Sequence, residues 1–163
     1  MTASGILISS SNVPLRDAPI HPDWILDGDP RARNCVLSKS RDGLAVTLIW
    51  DCTAGSFNWF YDTDETIHVL EGGAVLTDAQ GTREIAAGDV VFFPAGSQAA
   101  WRVDRYVRKV AFFRQPAPRP VGLALRAWKR MRGATPIRTA HRVPQPVMAL
   151  ITATLLSLSP ILA

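Results

Sequence analysis

The sequence predicts an all-β domain, a closed barrel or sandwich of short strands, with an irregular N-terminal arm and a C-terminal helical extension. Three observations point there. Between Gly43 and Phe113 the chain is a series of short runs rich in β-branched and aromatic residues, each ended by a turn signal. No helical pattern intervenes between those runs, which argues against a parallel sheet with crossover helices. The 163 residues, 47% hydrophobic and 20% charged, suffice for one well-filled core and are too few for two.

Residues 1–39 are read as an arm packed over the domain. Its first 34 residues are rich in Ser, Pro, Asp and Arg, and Pro14, Pro19, Pro22 and Pro30 interrupt any long element. Its expected anchors are residues 6–8, Val13 and residues 24–26. The domain proper spans 40–115, with strands expected at 44–52, 57–61, 66–71, 74–77, 83–85, 90–93, 99–103 and 107–114. Asp78-Ala79-Gln80-Gly81 predicts a hairpin turn, and Gly88-Asp89 and Pro94-Ala95-Gly96 predict further breaks. Pro116, Pro118 and Pro120 open the extension, 116–163. There Val121, Ala124, Leu125, Trp128 and Met131 recur at helical spacing opposite Arg126, Lys129 and Arg130, and Gly133 is a natural stop. After Pro144 and Pro146 comes an uncharged apolar stretch, residues 147–163.

Charge is divided unevenly. Residues 1–116 hold 11 Lys/Arg and all 14 acids, a balance of −3, while residues 117–163 hold 7 Lys/Arg and no acid, a balance of +7. The domain is mildly acidic, so a nucleic-acid partner is not expected. Cys35 and Cys52 lack the spacing of a disulfide framework or a zinc site and are expected to be free thiols. The N-terminus has no basic region followed by an apolar core, so a cytoplasmic location is expected. The uncharged stretch 147–163, beside a basic segment, is at the short limit for a bilayer at about 1.5 Å per residue. Membrane contact through 119–163 is the corresponding alternative.

Two spacings are specific. Glu65 is followed by six residues and then Gly72; Gly88 is followed by five residues, Pro94, one residue and Gly96. Together they resemble the two motifs of the cupin superfamily. The stretches Gly55-Ser-Phe-Asn-Trp-Phe-Tyr-Asp-Thr-Asp-Glu65-Thr and Gly88-Asp-Val-Val-Phe-Phe-Pro94-Ala-Gly96, with Trp101, Val103 and Val107-Arg108-Lys109, resemble one subgroup. It is the ureidoglycine aminohydrolase-type cupin domain, whose relatives include an ethanolamine-utilisation cupin and small bacterial proteins. Covering about residues 40–115, the resemblance implies a jelly-roll-like β-barrel, a homodimer, and a site inside the barrel.

At that site the sequence departs from the metal-bearing pattern. Where the resemblance implies a His-x-His pair, Trp59 and Tyr61 stand; where it implies a third histidine, Ala99 stands. Glu65 alone is kept, and one carboxylate does not hold a transition metal, so no metal is favoured as cofactor. A divalent metal would have to use Glu65, His68 and Gln98, for a hydrolase or lyase acting on a ureido or amide compound. Strand alternation, however, turns His68 away from Glu65; His21 and His141 receive no role.

The reading preferred from sequence is a pocket for a small polar or nitrogenous metabolite, lined by Trp59, Tyr61, Glu65, Gln98 and Trp101. A Glu65 buried without metal is expected to have a raised pKa and to serve as general acid or base. Two alternatives stand beside this: the aromatics only fill a narrow barrel, or Lys109 pairs with Glu65 and the site is structural.

Overall fold

The computed structural model describes residues 5–116 and 119–131. Eight strands run in order: β1 (Arg16–Asp17), β2 (Ile25–Gly28), β3 (Ala32–Lys39), β4 (Ala45–Phe60), β5 (Asp64–Asp78), β6 (Gly81–Ala86), β7 (Val90–Phe93) and β8 (Gln98–Arg114). Among the described residues one α-helix, α1 (Arg119–Met131), follows them. The chain divides at Gly122 into two units. All strand pairing is antiparallel, in the order β1-β3-β4-β8-β5-β6, with β2 also on β4 and β7 also on β5.

Strand β8 is the spine of the barrel. It pairs with β4 from Arg114 to Gln98 and with β5 from Arg114 to Ala100, so the same residues have neighbours on both sides. Its inward row keeps one parity throughout: Ala99, Trp101, Val103, Val107, Lys109 and Ala111 are all buried. On β4 and β5 the inward parity changes midway. Trp50 and Cys52 face the core before the irregularity at Thr53/Gly55, and Phe57 faces it after. Glu65, Ile67 and Val69 face inward before the bend at Gly72, and Ala74 and Leu76 after it. Each bulge inserts an unpaired residue, which exchanges the two faces of a strand.

These bulges explain why strands expected as separate pieces are continuous. The expected pairs 44–52 and 57–61, 66–71 and 74–77, and 99–103 and 107–114 fuse into three strands of 15 to 17 residues. In the first two the intervening glycines bend the chain without ending it, while β8 runs on through residues 104–106, which include no glycine. The two-residue turn between Asp78 and Gly81 is the predicted hairpin; the Asp78 carboxylate accepts the Gln80 N–H at 2.8 Å.

The arm needs correction. Residues 32–39 form β3, paired with β4 from Ala32↔Cys52 to Lys39↔Val46. Arg33, Asn34, Ser38 and Lys39 hid this strand, because polar side chains interrupt its apolar alternation. Residues Ile6, Leu7 and Ile8 are exposed, and the deeply buried anchors are Ile20 and Ala32 instead. On the outer face Asp51, 1% exposed, accepts two hydrogen bonds from Arg33 at 3.1 and 2.7 Å and one from the Tyr106 hydroxyl at 2.8 Å, with Arg108 at 3.7 Å. This cluster ties β3, β4 and β8 together. Residues 132–163, including Gly133, His141 and the apolar stretch, lie outside the described residues; among those described, no helix is long and apolar enough to cross a membrane.

Cys35 and Cys52 are both free, and Cys52 is fully buried. Burial pushes the Cys52 thiol up from 9.0 to about 12, and it pushes the Tyr61 phenol up as well. The folded chain therefore keeps protons that the unfolded chain releases. Each contribution is complete below that group's own unfolded value and falls as pH rises above it, by about 1.4 kcal/mol per pH unit. Urea unfolding at roughly pH 8 and roughly pH 10 should show lower stability at the higher value, with Cys52→Ala losing about 1 kcal/mol less across the interval.

Candidate functional site

The site is built where the inward rows of β4, β5 and β8 meet the short turn Pro22–Trp24. Glu65 stands near the start of β5, cross-strand from Phe93 on β7 and Phe113 on β8. It is 1% exposed, and its Oε1 accepts a hydrogen bond of 2.8 Å from the Lys109 Nζ. Lys109, 5% exposed, lies directly across from Trp50 in the β4–β8 register, and its ammonium sits 4.9 Å from the ring centres of both Trp50 and Trp101. Ring faces and a carboxylate together compensate a cation removed from water. The second carboxylate oxygen, Oε2, is buried and has no hydrogen-bond partner among the described residues. Such an orphan acceptor ordinarily costs about 1–3 kcal/mol, and more when charged.

Glu65 is thus not the isolated acid expected from sequence. Lys109 compensates its charge across 2.8 Å. The Glu65–Lys109 pair itself is present.

Tyr61 follows β4 directly and is pinned to the next loop. Its backbone N–H donates to the Ser97 carbonyl at 3.0 Å, and its carbonyl accepts from the Gly96 N–H at 2.6 Å. Its ring stacks on Phe93 at 4.3 Å, and its hydroxyl accepts the Trp101 indole N–H at 2.9 Å. Trp101 is 2% exposed and packs against Phe57, Trp50 and Phe93.

Two clefts share Glu65, Trp59 and Phe113 as a common wall. The smaller, about 280 Å³, reaches Trp50, Lys109, Leu48, Asn34 and the arm at Ala18 and Pro19. The larger, about 520 Å³, is lined by Trp24, Trp59, Phe60, Tyr61 and Phe113, with the acids Glu65 and Asp62. Trp24 closes its outer side, its ring 5.6 Å from Trp59 and 5.2 Å from Phe60. Pro22 starts the short turn that presents Trp24, and the His21 side chain accepts the Asp23 N–H at its head.

Of the residues expected from sequence, Trp59, Tyr61 and Glu65 come together here. Trp101 does not reach either cleft; it is a core side chain that holds Tyr61 and flanks Lys109, because its row on β8 points into the barrel centre. Gln98 is exposed, since it alternates with the buried Ala99 and Trp101 and so faces outward. His68 is exposed on the face opposite Glu65. A ligand set of Glu65, His68 and Gln98 therefore cannot converge, and no group of three metal-binding side chains occurs among the described residues. Phe57, Phe93 and Trp101 fill the barrel, whereas Trp24, Trp59 and Phe60 border open space.

Lys109 as a site wall, Trp50, Asn34, Asp62 and Phe113 were not expected from sequence as cleft residues. Trp50 was hidden by the parity change at Gly55, and Trp24 was legible only as an anchor.

Residues 39–111 match the family model described as the EutQ-like cupin domain. The barrel has the cupin fold. Solved structures similar to it include a protein of unknown function from Pseudomonas syringae pv. tomato, with 23% identity, 64% of this chain and 46% of that one covered, and a TM-score of 0.59. A polyketide cyclase from Streptomyces resistomycificus is 21% identical over 70% of this chain and 82% of that one, with a TM-score of 0.50. The EutQ protein of Clostridium difficile is 17% identical over 52% and 63%, with a TM-score of 0.47. The first two likenesses concern the fold alone, and the chain spans less than half of the Pseudomonas protein. No curated protein matches the chain.

Proposed function

We propose that this cupin domain binds a small organic ammonium compound in the larger cleft, without a tightly held metal. The observation that carries the reading is the composition of the wall: among the described residues it holds five aromatic side chains and two acids, with no Lys, Arg or His. Ring faces attract a cation through their quadrupoles, by about 0.5–2 kcal/mol per ring depending on desolvation. Asp62, exposed at the cleft, supplies a formal negative charge. The charge of Glu65 is compensated by Lys109, so Asp62 and the rings supply the net attraction for a cation. A cleft of this size accommodates a metabolite of a few heavy atoms.

The direct test is titration with n-butylammonium, followed by calorimetry and by the indole N–H resonances in NMR spectra. Binding should perturb the Trp24 and Trp59 resonances first. Trp59→Ala is expected to weaken binding roughly tenfold, the loss of one well-placed ring face. Failure of butylammonium to bind, or equal binding of a small carboxylate, would sink the reading.

A further inference from the structure

Resting on the ammonium reading, we propose that the ligand is an amino alcohol, seated with its hydroxyl inward and its ammonium outward. Unpaired polar groups and the distribution of charge both support this.

Glu65 Oε2 is a buried acceptor with no partner among the described residues. Tyr61 is its complement. The Tyr61 oxygen accepts the Trp101 indole N–H, and the hydroxyl hydrogen has no acceptor among the described hydrogen bonds. Burial keeps that phenol protonated, with the Glu65 charge acting in the same direction. Both residues line the larger cleft. One ligand group serving both must accept from Tyr61 and donate to Glu65. A hydroxyl does both, an ammonium only donates, and a carboxylate only accepts.

Charge orders the ligand the same way. At the inner end the Lys109 ammonium already occupies Glu65 Oε1 at 2.8 Å, so a second cation beside it would meet like charge. A neutral hydroxyl meets none. At the outer end the exposed Asp62 and the rings of Trp24, Trp59 and Phe60 form the part of the cleft suited to a cation.

The experiment compares aminopropanol with n-butylammonium and n-butanol, three probes of equal heavy-atom count, by calorimetry on the full chain. Aminopropanol should bind about tenfold more tightly than butylammonium, the effect of two added hydrogen bonds to a buried site. Tyr61→Phe, which keeps the ring stacked on Phe93, should reduce that preference to within about twofold. If Tyr61→Phe does not fold, Glu65→Gln is read for the same ratio. Equal binding of aminopropanol and butylammonium by the unaltered protein would overturn the inference and leave the ammonium reading standing. Loss of all amine binding, or butanol binding best, would overturn both.

Discussion

Lys109→Met is expected to lower the unfolding free energy by about 3–5 kcal/mol, the cost of leaving a buried carboxylate without its counter-charge. Glu65 is 1% exposed and Lys109 5%, so water cannot compensate either partner. The loss should exceed that of any exposed pair in the molecule, such as Arg102–Asp104, for which about 0–1 kcal/mol is typical. Removing both charges gives the opposite result. Glu65→Leu/Lys109→Met should recover most or all of the stability, because the desolvation of both ions is avoided while the volume stays filled. Urea unfolding of the two single variants and the double variant supplies the cycle. A Lys109→Met loss below about 1 kcal/mol would refute the buried pair. The double variant also separates fold from function: it should fold and yet lose the hydroxyl preference inferred above.

Gly72→Ala should be nearly as damaging, for a backbone reason. Gly72 has φ +67°, and a Cβ placed on it would lie 2.0 Å from the carbonyl oxygen of Tyr106 and 2.8 Å from its carbon. Those atoms belong to the paired backbone of β8 and cannot swing aside. The left-handed conformation costs a substituted residue about 1–3 kcal/mol by itself, and the clash adds to it. We expect a loss of at least about 3 kcal/mol, against a total of roughly 5–15 kcal/mol for a domain. Gly81→Ala is the control: its φ is also positive, at +121°, but nothing lies within 4 Å of the added Cβ. It should cost about 1–2 kcal/mol. Equal losses at the two positions would show that the close approach to Tyr106 is not what fixes Gly72.

Much of this fold was legible because its turns are written in residues with particular backbone needs. Gly88, Pro94 and Gly96 stood at the expected breaks, and the alternation of Glu65, Ile67 and Val69 placed the acid inside and His68 outside. Strand β3 was not legible, since Arg33 and Asn34 stand where an apolar face would be sought and their partners come from distant sequence. At the site, Trp59, Tyr61 and Glu65 were found from motif position. Trp50 was missed because a parity count cannot be carried across a bulge whose presence is not yet known. Gln98 and Trp101 were misassigned for related reasons. Gln98 was counted as adjacent to a motif position rather than by face, and Trp101 faces inward as expected but ends in packed core. Inward and accessible are different properties, and only the second depends on how neighbouring side chains fill the barrel.

Four of the five tryptophans of this chain, Trp24, Trp50, Trp59 and Trp101, stand in or directly behind the cleft walls. Their rings form a connected series, from Trp24 to Trp59 at 5.6 Å, to Trp50 at 6.1 Å and to Trp101 at 6.2 Å. At such separations excitation is shared among indoles, so the emission of the protein belongs largely to this group. The domain therefore carries its own optical reporter. A compound entering the cleft should alter the colour or yield of intrinsic fluorescence, and a library of unlabelled amines can be screened on the native chain by that signal alone.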